Sequence, residues 1–172
     1  MNKKPKYWNR AKKYLSKKDK VMSFLIKKYK SPSETVLTSR KDIFYSLCKS
    51  IIGQQISVAA ANSVFLKFKS KCKNKINAKI VSKLSNIQLK SCGLSRQKIK
   101  GIKSLSKQIL NKTFNQKIIE KMSDEEAIIY LSQLSQIIRW SAAMILIFTY
   151  NRSNIWQVKD IGLLKVLSNT YK

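Results

Sequence analysis

Few residues in this chain are able to do chemistry, and one stands apart. In "RWSAAMILIFTYNRSNIWQVKD", residues 139–160, an almost wholly apolar run leads through a polar connector to Asp160. It is the only acid between Ala127 and the C-terminus, in a chain of formal net charge +28. A carboxylate there admits two readings. It can cap a helix beginning near Ile161, because an aspartate oxygen accepts from the orphan N–H groups of a helix start. It can also stabilise positive charge that develops on a substrate. Composition removes other chemistries. There is no histidine, which excludes Ser-His-Asp and Cys-His catalysis and His-ligated zinc. Cys48, Cys72 and Cys92 lie 24 and 20 residues apart. They form no CxxC pair and no even disulfide framework, so reduced core or surface thiols are expected. The four glycines are scattered, and none belongs to a phosphate-cradling loop.

The charge points to a partner. There are 36 Lys and Arg against 8 Asp and Glu, and Asp42 and Glu120 bracket 77 residues without an acid. Self-repulsion of that size opposes compaction unless a polyanion or salt offsets it. Nucleic acid is the expected polyanion, since lysine and arginine release counterions from phosphates. A coding bias towards lysine also fits, with 31 Lys against 5 Arg. The length suits one domain with a sizeable core. The longest apolar run, Ala142 to Phe148, is far short of a membrane span. The basic start lacks the apolar region of a secretory signal. An intracellular protein is expected, in a bacterial cytoplasm or an equivalent DNA-containing compartment.

The elements that must position Asp160 are helical. With two prolines and four glycines, long helices can run unbroken. Tyr7, Trp8, Ala11, Tyr14 and Leu15 share one helical face, and so do Val21, Met22, Leu25, Ile26 and Tyr29. Pro32 and "SPSE" then break the chain. Ile43, Phe44, Leu47, Cys48, Ile51 and Ile52 form a core-facing stripe. Ser57 is expected to cap a helix whose inner residues are Ala59, Ala60, Val64 and Phe65. "KSKCKNKINAK" reads as an exposed basic connector. A short helix near Asn86 to Lys90 stops at Gly93. Ser95 opens another, with Ile99, Ile102, Leu105 and Ile109 inward. "SDEE", residues 123–126, is a capping box closed by Ser123 and Glu126. The helix from about Arg139 to Tyr150 is apolar nearly all round and is expected at the buried centre. No stretch sustains strand alternation. The fold class is all-α, with about nine or ten helices in one unit.

Three blocks, in order, carry a resemblance. "DIFYSLCKSIIGQQISVAAANSV", "CGLSRQKIKGIKSLSKQI" and "LSQIIRWSAAMILIF" followed by "NRSNIWQVKDIGLLKVL" resemble the helix-hairpin-helix DNA glycosylase superfamily. The likeness runs from about Tyr7 to the end. It implies a compact helical fold over residues 1–172, in two lobes with an active cleft between them. In the endonuclease III type a lysine in the hairpin motif forms a Schiff base; the matching residue here is Trp140. This resembles the 3-methyladenine DNA glycosylase II branch, and the missing cysteine cluster argues against iron-sulfur members.

The resemblance implies a monofunctional DNA glycosylase. It would hydrolyse the N-glycosidic bond of alkylated purines such as 3-methyladenine, in double-stranded DNA with damaged bases, as a monomer without cofactor or metal. Asp160, 20 residues after Trp140, matches the family's essential carboxylate. Trp140 and Met144 match the base pocket. Gln54, Gln55 and Ser57 match a turn that approaches DNA, and Arg96 lies in the loop that wedges into the duplex. The family hairpin, which contacts DNA, has two glycines, matched here by Gln136 and Ile138, and Gln136 is an expected DNA-binding residue. A β-branched residue is ill suited to a positive-φ hairpin position, so a reshaped hairpin is expected, with Arg139 reaching phosphate instead. Relatives normally continue past the position of Lys172 with a further helix, so a chain shortened at the C-terminus is also expected. The rival reading is a non-catalytic DNA-binding or damage-recognition protein on the same fold. A glycosylase-lyase, disfavoured by Trp140, and a lysine-rich RNA binder are weaker rivals.

Overall fold

The computed structural model describes residues 5–29 and 42–171, and those residues form ten α-helices, one 3-10 helix and no strand. The helices are α1 (Trp8–Lys18), α2 (Lys20–Lys28), α3 (Ile43–Gly53), α4 (Val58–Lys71) and α5 (Ala78–Lys83), then α6 (Asn86–Ser91), α7 (Arg96–Leu110), α8 (Asp124–Ser132), α9 (Arg139–Tyr150) and α10 (Ile161–Thr170). The 3-10 helix, Gln116–Lys121, precedes α8. The break at Pro32 and "SPSE" lies outside the described residues.

Helix starts are set by local chemistry. Side-chain oxygens of Asp19, Asp42, Ser57, Asn77, Ser85, Ser95, Ser123 and Asp160 accept from backbone N–H groups in the first turns of α2, α3, α4, α5, α6, α7, α8 and α10. Each bond satisfies a donor that the helix cannot pair internally. Ser123 and Glu126 complete the expected capping box. Gly93, at φ 92, ends α6, a backbone angle that glycine adopts without a Cβ clash.

The core forms around α3. All six of its stripe residues, Ile43, Phe44, Leu47, Cys48, Ile51 and Ile52, are buried. The helix packs against α4, α7 and α9. From α7 come Ile99, Ile102 and Leu105, and from α9 Ala142, Ala143, Ile145 and Leu146. The α1–α2 pair has no fully buried residue. It is joined to α10 by the Tyr171 hydroxyl, which donates to Asp19 at 2.8 Å. The three cysteines are free and buried, core rather than surface thiols.

Three expectations are corrected. Helix α4 buries Phe65 and Phe68, while Ala59 and Ala60 are exposed. Its inward face is set by the large aromatics, which bury more apolar area than alanines. The connector at 69–79 is anchored by buried Cys72, Ile76 and Ala78, while its intervening Lys71, Lys73, Lys75 and Lys79 face water. And α9 is not buried all round. Ser141, Ala142, Ala143, Ile145, Leu146 and Thr149 are inward, but Trp140 and Phe148 are exposed.

Candidate active site

The open face of α9 is one wall of a cleft. Trp140, Met144 and Phe148 recur at every fourth residue and so project from one side of the helix. With Ile145 and Thr149 they face Ser46, Lys49, Ser50, Gly53 and Gln54 of α3 and its C-terminal turn. The enclosed space is about 330 Å³. Its α9 side is aromatic and sulfur-bearing, a surface suited to a flat, polarizable or cationic ring. Thr149 is buried, and its hydroxyl has no protein partner among the described residues.

Asp160 does not line this cleft but is tied to its rim. The Trp140 indole Nε1–H donates to Asp160 Oδ2 at 3.1 Å. The other oxygen, Oδ1, accepts from the backbone N–H of Leu163 at 2.8 Å. The two readings of this acid therefore coexist: it caps α10 and it reaches the aromatic wall. The N-terminus of α10 favours a negative charge at this point. The connection from α9 back to Asp160 is fixed by two devices. Asn151, at φ 54, ends α9 in a left-handed turn. Arg152 then donates to Asp124 at 2.8 Å and to the carbonyls of Ile119 at 2.5 Å and Met122 at 2.9 Å.

The hairpin between α8 and α9 is held from two sides. Gln136 takes the positive φ, 67°. Ile138 does not: at φ −83, ψ 164 it is the extended residue before α9, so its β-branch carries no conformational cost there. Gln54 Nε2 donates to the Gln136 carbonyl at 2.6 Å. Gly101 backs the turn, and a Cβ built on it would lie 2.6 Å from Gln136 Cγ. The Lys98 ammonium donates to the carbonyls of Ile52 and Gln54, both at 2.8 Å, which fixes the end of α3 against α7. Desolvation there lowers the Lys98 pKa.

Of the residues matched from sequence, Trp140, Met144 and Gln54 share the cleft, and Trp140 brings in Asp160. Gln55 is exposed at φ 57. Ser57 is spent on capping the Ala60 N–H. Arg96 stands at the start of α7, beside a different groove. Arg139 forms an exposed ion pair with Glu125, 2.7 Å, so its charge is partly answered before any phosphate arrives. Gly101, Lys98, Phe148 and Thr149 were missed. The four-residue step from Trp140 through Met144 to Phe148 was the available signal for Phe148. Gly101 and Lys98 act on residues distant in sequence and leave no local pattern. Among the described residues, no group of three His, Cys, Asp or Glu is placed to hold a metal ion.

The described residues are all-helical, with a hairpin before a helix whose Trp140 donates to the following Asp160. The chain belongs to the HhH-GPD superfamily of base excision DNA repair proteins, whose family model matches residues 48–172. It is 32% identical over 160 residues to the alkylbase DNA glycosidase-like protein mag2 of Schizosaccharomyces pombe, covering 91% of this chain and 75% of that one. It is 29% identical over 127 residues to DNA-3-methyladenine glycosylase 1 of the same organism, covering 72% and 56% of the two. The solved structure of the S. pombe 3-methyladenine DNA glycosylase Mag1 in complex with abasic DNA superposes with a TM-score of 0.80 at 26% identity, over 95% of this chain and 82% of that one.

Proposed function

We propose that this protein is a monofunctional DNA glycosylase of base excision repair. It hydrolyses the N-glycosidic bond of alkylated purines such as 3-methyladenine in damaged duplex DNA. The observation that carries this reading is the Trp140–Asp160 hydrogen bond, 3.1 Å, at the rim of the aromatic-walled cleft. The names of the relatives support the choice of alkylated bases. We read residues 1–172 as one domain with the cleft between two lobes, acting as a monomer in a DNA-containing compartment. No helix of the described residues is long and apolar enough to cross a membrane.

The chemistry follows from the site. A base in a duplex is inaccessible, so the nucleotide turns out of the stack, at a cost of a few kcal/mol. The Trp140 ring and Met144 receive it, and a base carrying positive charge gains most from the electron-rich indole face. The buried Thr149 hydroxyl is open to pair with a polar edge of the base. The C–N bond then breaks and its electron pair leaves with the base, quenching the positive charge of the alkylated ring. The sugar becomes oxocarbenium-like, and the Asp160 carboxylate stabilises it. Water adds to the sugar carbon and releases a proton. Trp140 has no amine, so it supplies no Schiff base and no strand cleavage by that route.

A second reading, a damage-recognition protein without catalysis, is favoured by the glycine-free hairpin and the Arg139–Glu125 pair. The deciding experiment is release of free bases from methylated duplex DNA by wild type and Asp160→Asn. Release by wild type that is lost in the variant, with DNA binding intact, supports the enzyme. A folded, DNA-binding wild type that releases nothing is the recognition protein.

A further inference from the structure

A larger concavity lies away from the cleft. The groove between α6 and α7 encloses about 840 Å³. Its lining includes Lys90, Arg96, Lys100, Lys103 and Lys107 and no carboxylate. The last four follow the sequence of α7 at intervals of four, three and four residues. At 100° per residue they fall within a sector of about 60°, opposite the core-facing Ile102 and Leu105. Only Lys103 has a structural task. Its ammonium donates to the carbonyls of Ser82 at 2.8 Å and Leu84 at 2.5 Å, capping the end of α5. Among the described residues, Lys90, Arg96, Lys100 and Lys107 make no ion pair. Lys90 belongs to the facing helix, so cations stand on both walls, with Leu94 and Ile99 between them.

We propose that this groove is a second nucleic-acid contact, which holds the phosphodiester backbone of one strand of duplex DNA flanking the lesion. A solvated lysine face is convex and needs no partner. A concave basic channel focuses positive potential and attracts a linear polyanion. The stripe from Arg96 to Lys107 is about 16 Å long at 1.5 Å per residue, enough for two or three successive phosphates. The groove shares no lining residue with the cleft, but its N-terminal end comes near it through α7. It opens at Ser95 and Arg96, and two residues on, Lys98 grips the Gln54 carbonyl from the other side of α7. A strand that passes the Gln54–Gln55 turn therefore comes beside the first turn of α7.

The proposal rests on DNA being the partner, and its test keeps the two apart. The triple variant Lys90→Gln/Lys100→Gln/Lys107→Gln spares Lys103 and Lys98. Binding to an undamaged duplex of about three helical turns is measured against salt. Each lost phosphate contact removes about 0.9 from the slope of log affinity on log salt, so the slope should flatten by roughly 2 to 3. The control is Lys13→Gln/Lys17→Gln/Lys18→Gln on α1, with the same change in net charge, whose slope should stay close to wild type. Circular dichroism checks that both are folded. Equal flattening in both variants, or none in the groove variant, overturns the groove. Flattening on single-stranded RNA but not on duplex DNA overturns its assignment to DNA. Base release by wild type is assayed separately; its failure overturns the glycosylase and leaves the groove result standing.

Discussion

At the scale of single residues, Asp160 has two tasks, and substitution can separate them. Asparagine caps a helix about as well as aspartate, whereas alanine does not, at a cost of about 1 kcal/mol. Asp160→Asn should therefore keep the cap, lose the bond from Trp140 and lose base release. Asp160→Ala should lose base release and also melt earlier, by roughly 2–4 °C. Both are read by thermal melting beside single-turnover base release, and an active asparagine variant would remove the carboxylate from the mechanism. Trp140 also acts twice, as a flat wall and as a donor to Asp160 Oδ2. Trp140→Phe keeps the wall and deletes the N–H. The expected result is a drop in the single-turnover rate of tenfold or more, since a charge-assisted hydrogen bond contributes about 1.5–3 kcal/mol, with affinity for damaged duplex little changed. If affinity falls instead and the rate holds, Trp140 is a wall only.

At the scale of elements, the α8–α9 hairpin depends on a glycine thirty-five positions upstream. Gly101→Ala would gain about 1 kcal/mol of helix propensity. Its Cβ would also meet Gln136 Cγ at 2.6 Å, and overpacking costs about 1–3 kcal/mol. Overpacking should win, so the variant unfolds at lower denaturant. Gln136→Gly added to it removes the obstructing side chain and suits the φ of 67°, so the double variant should recover. Additive losses in urea titrations would show that the two sites do not touch. This contact also marks what sequence could reveal. Helix positions, the caps Ser57, Ser95, Ser123 and Asp160 and the α3 stripe were legible because they depend on residues one to four positions apart. Asp160 and Trp140 were legible through their resemblance to a family motif. The exposed face of α9 was misread because an apolar side chain looks the same whether it meets a core or lines a cleft. Gly101 against Gln136, Lys98 on the end of α3 and Arg152 across to the 3-10 helix join distant segments, and no local spacing encodes them.

At the scale of the whole molecule, the core holds a contribution to stability that is lost on the alkaline side. Burial raises the pKa of all three thiols: Cys48 well above its usual value, Cys72 to about 11, and Cys92 more modestly. An unfolded thiol ionises near pH 9, while folded Cys72 stays protonated until about pH 11. Between those limits the native state holds more protons than the unfolded state. The Cys72 contribution to stability therefore falls as pH rises, by up to about 1.4 kcal/mol per pH unit. Below pH 9 the contribution is fully present. Lysines act in the opposite sense over the same range, because their neutralisation relieves the self-repulsion of a chain at +28. The two effects are separated by comparison with Cys72→Ala, which keeps every lysine and removes one buried thiol. The variant starts less stable, because a cavity replaces the sulfur. Between pH 9 and 11, urea unfolding should show its stability falling less steeply with pH than that of wild type, and the gap between them should narrow. Parallel curves would mean that Cys72 ionises in the folded protein as readily as in the unfolded chain, and that the basic surface alone sets the pH dependence of this fold.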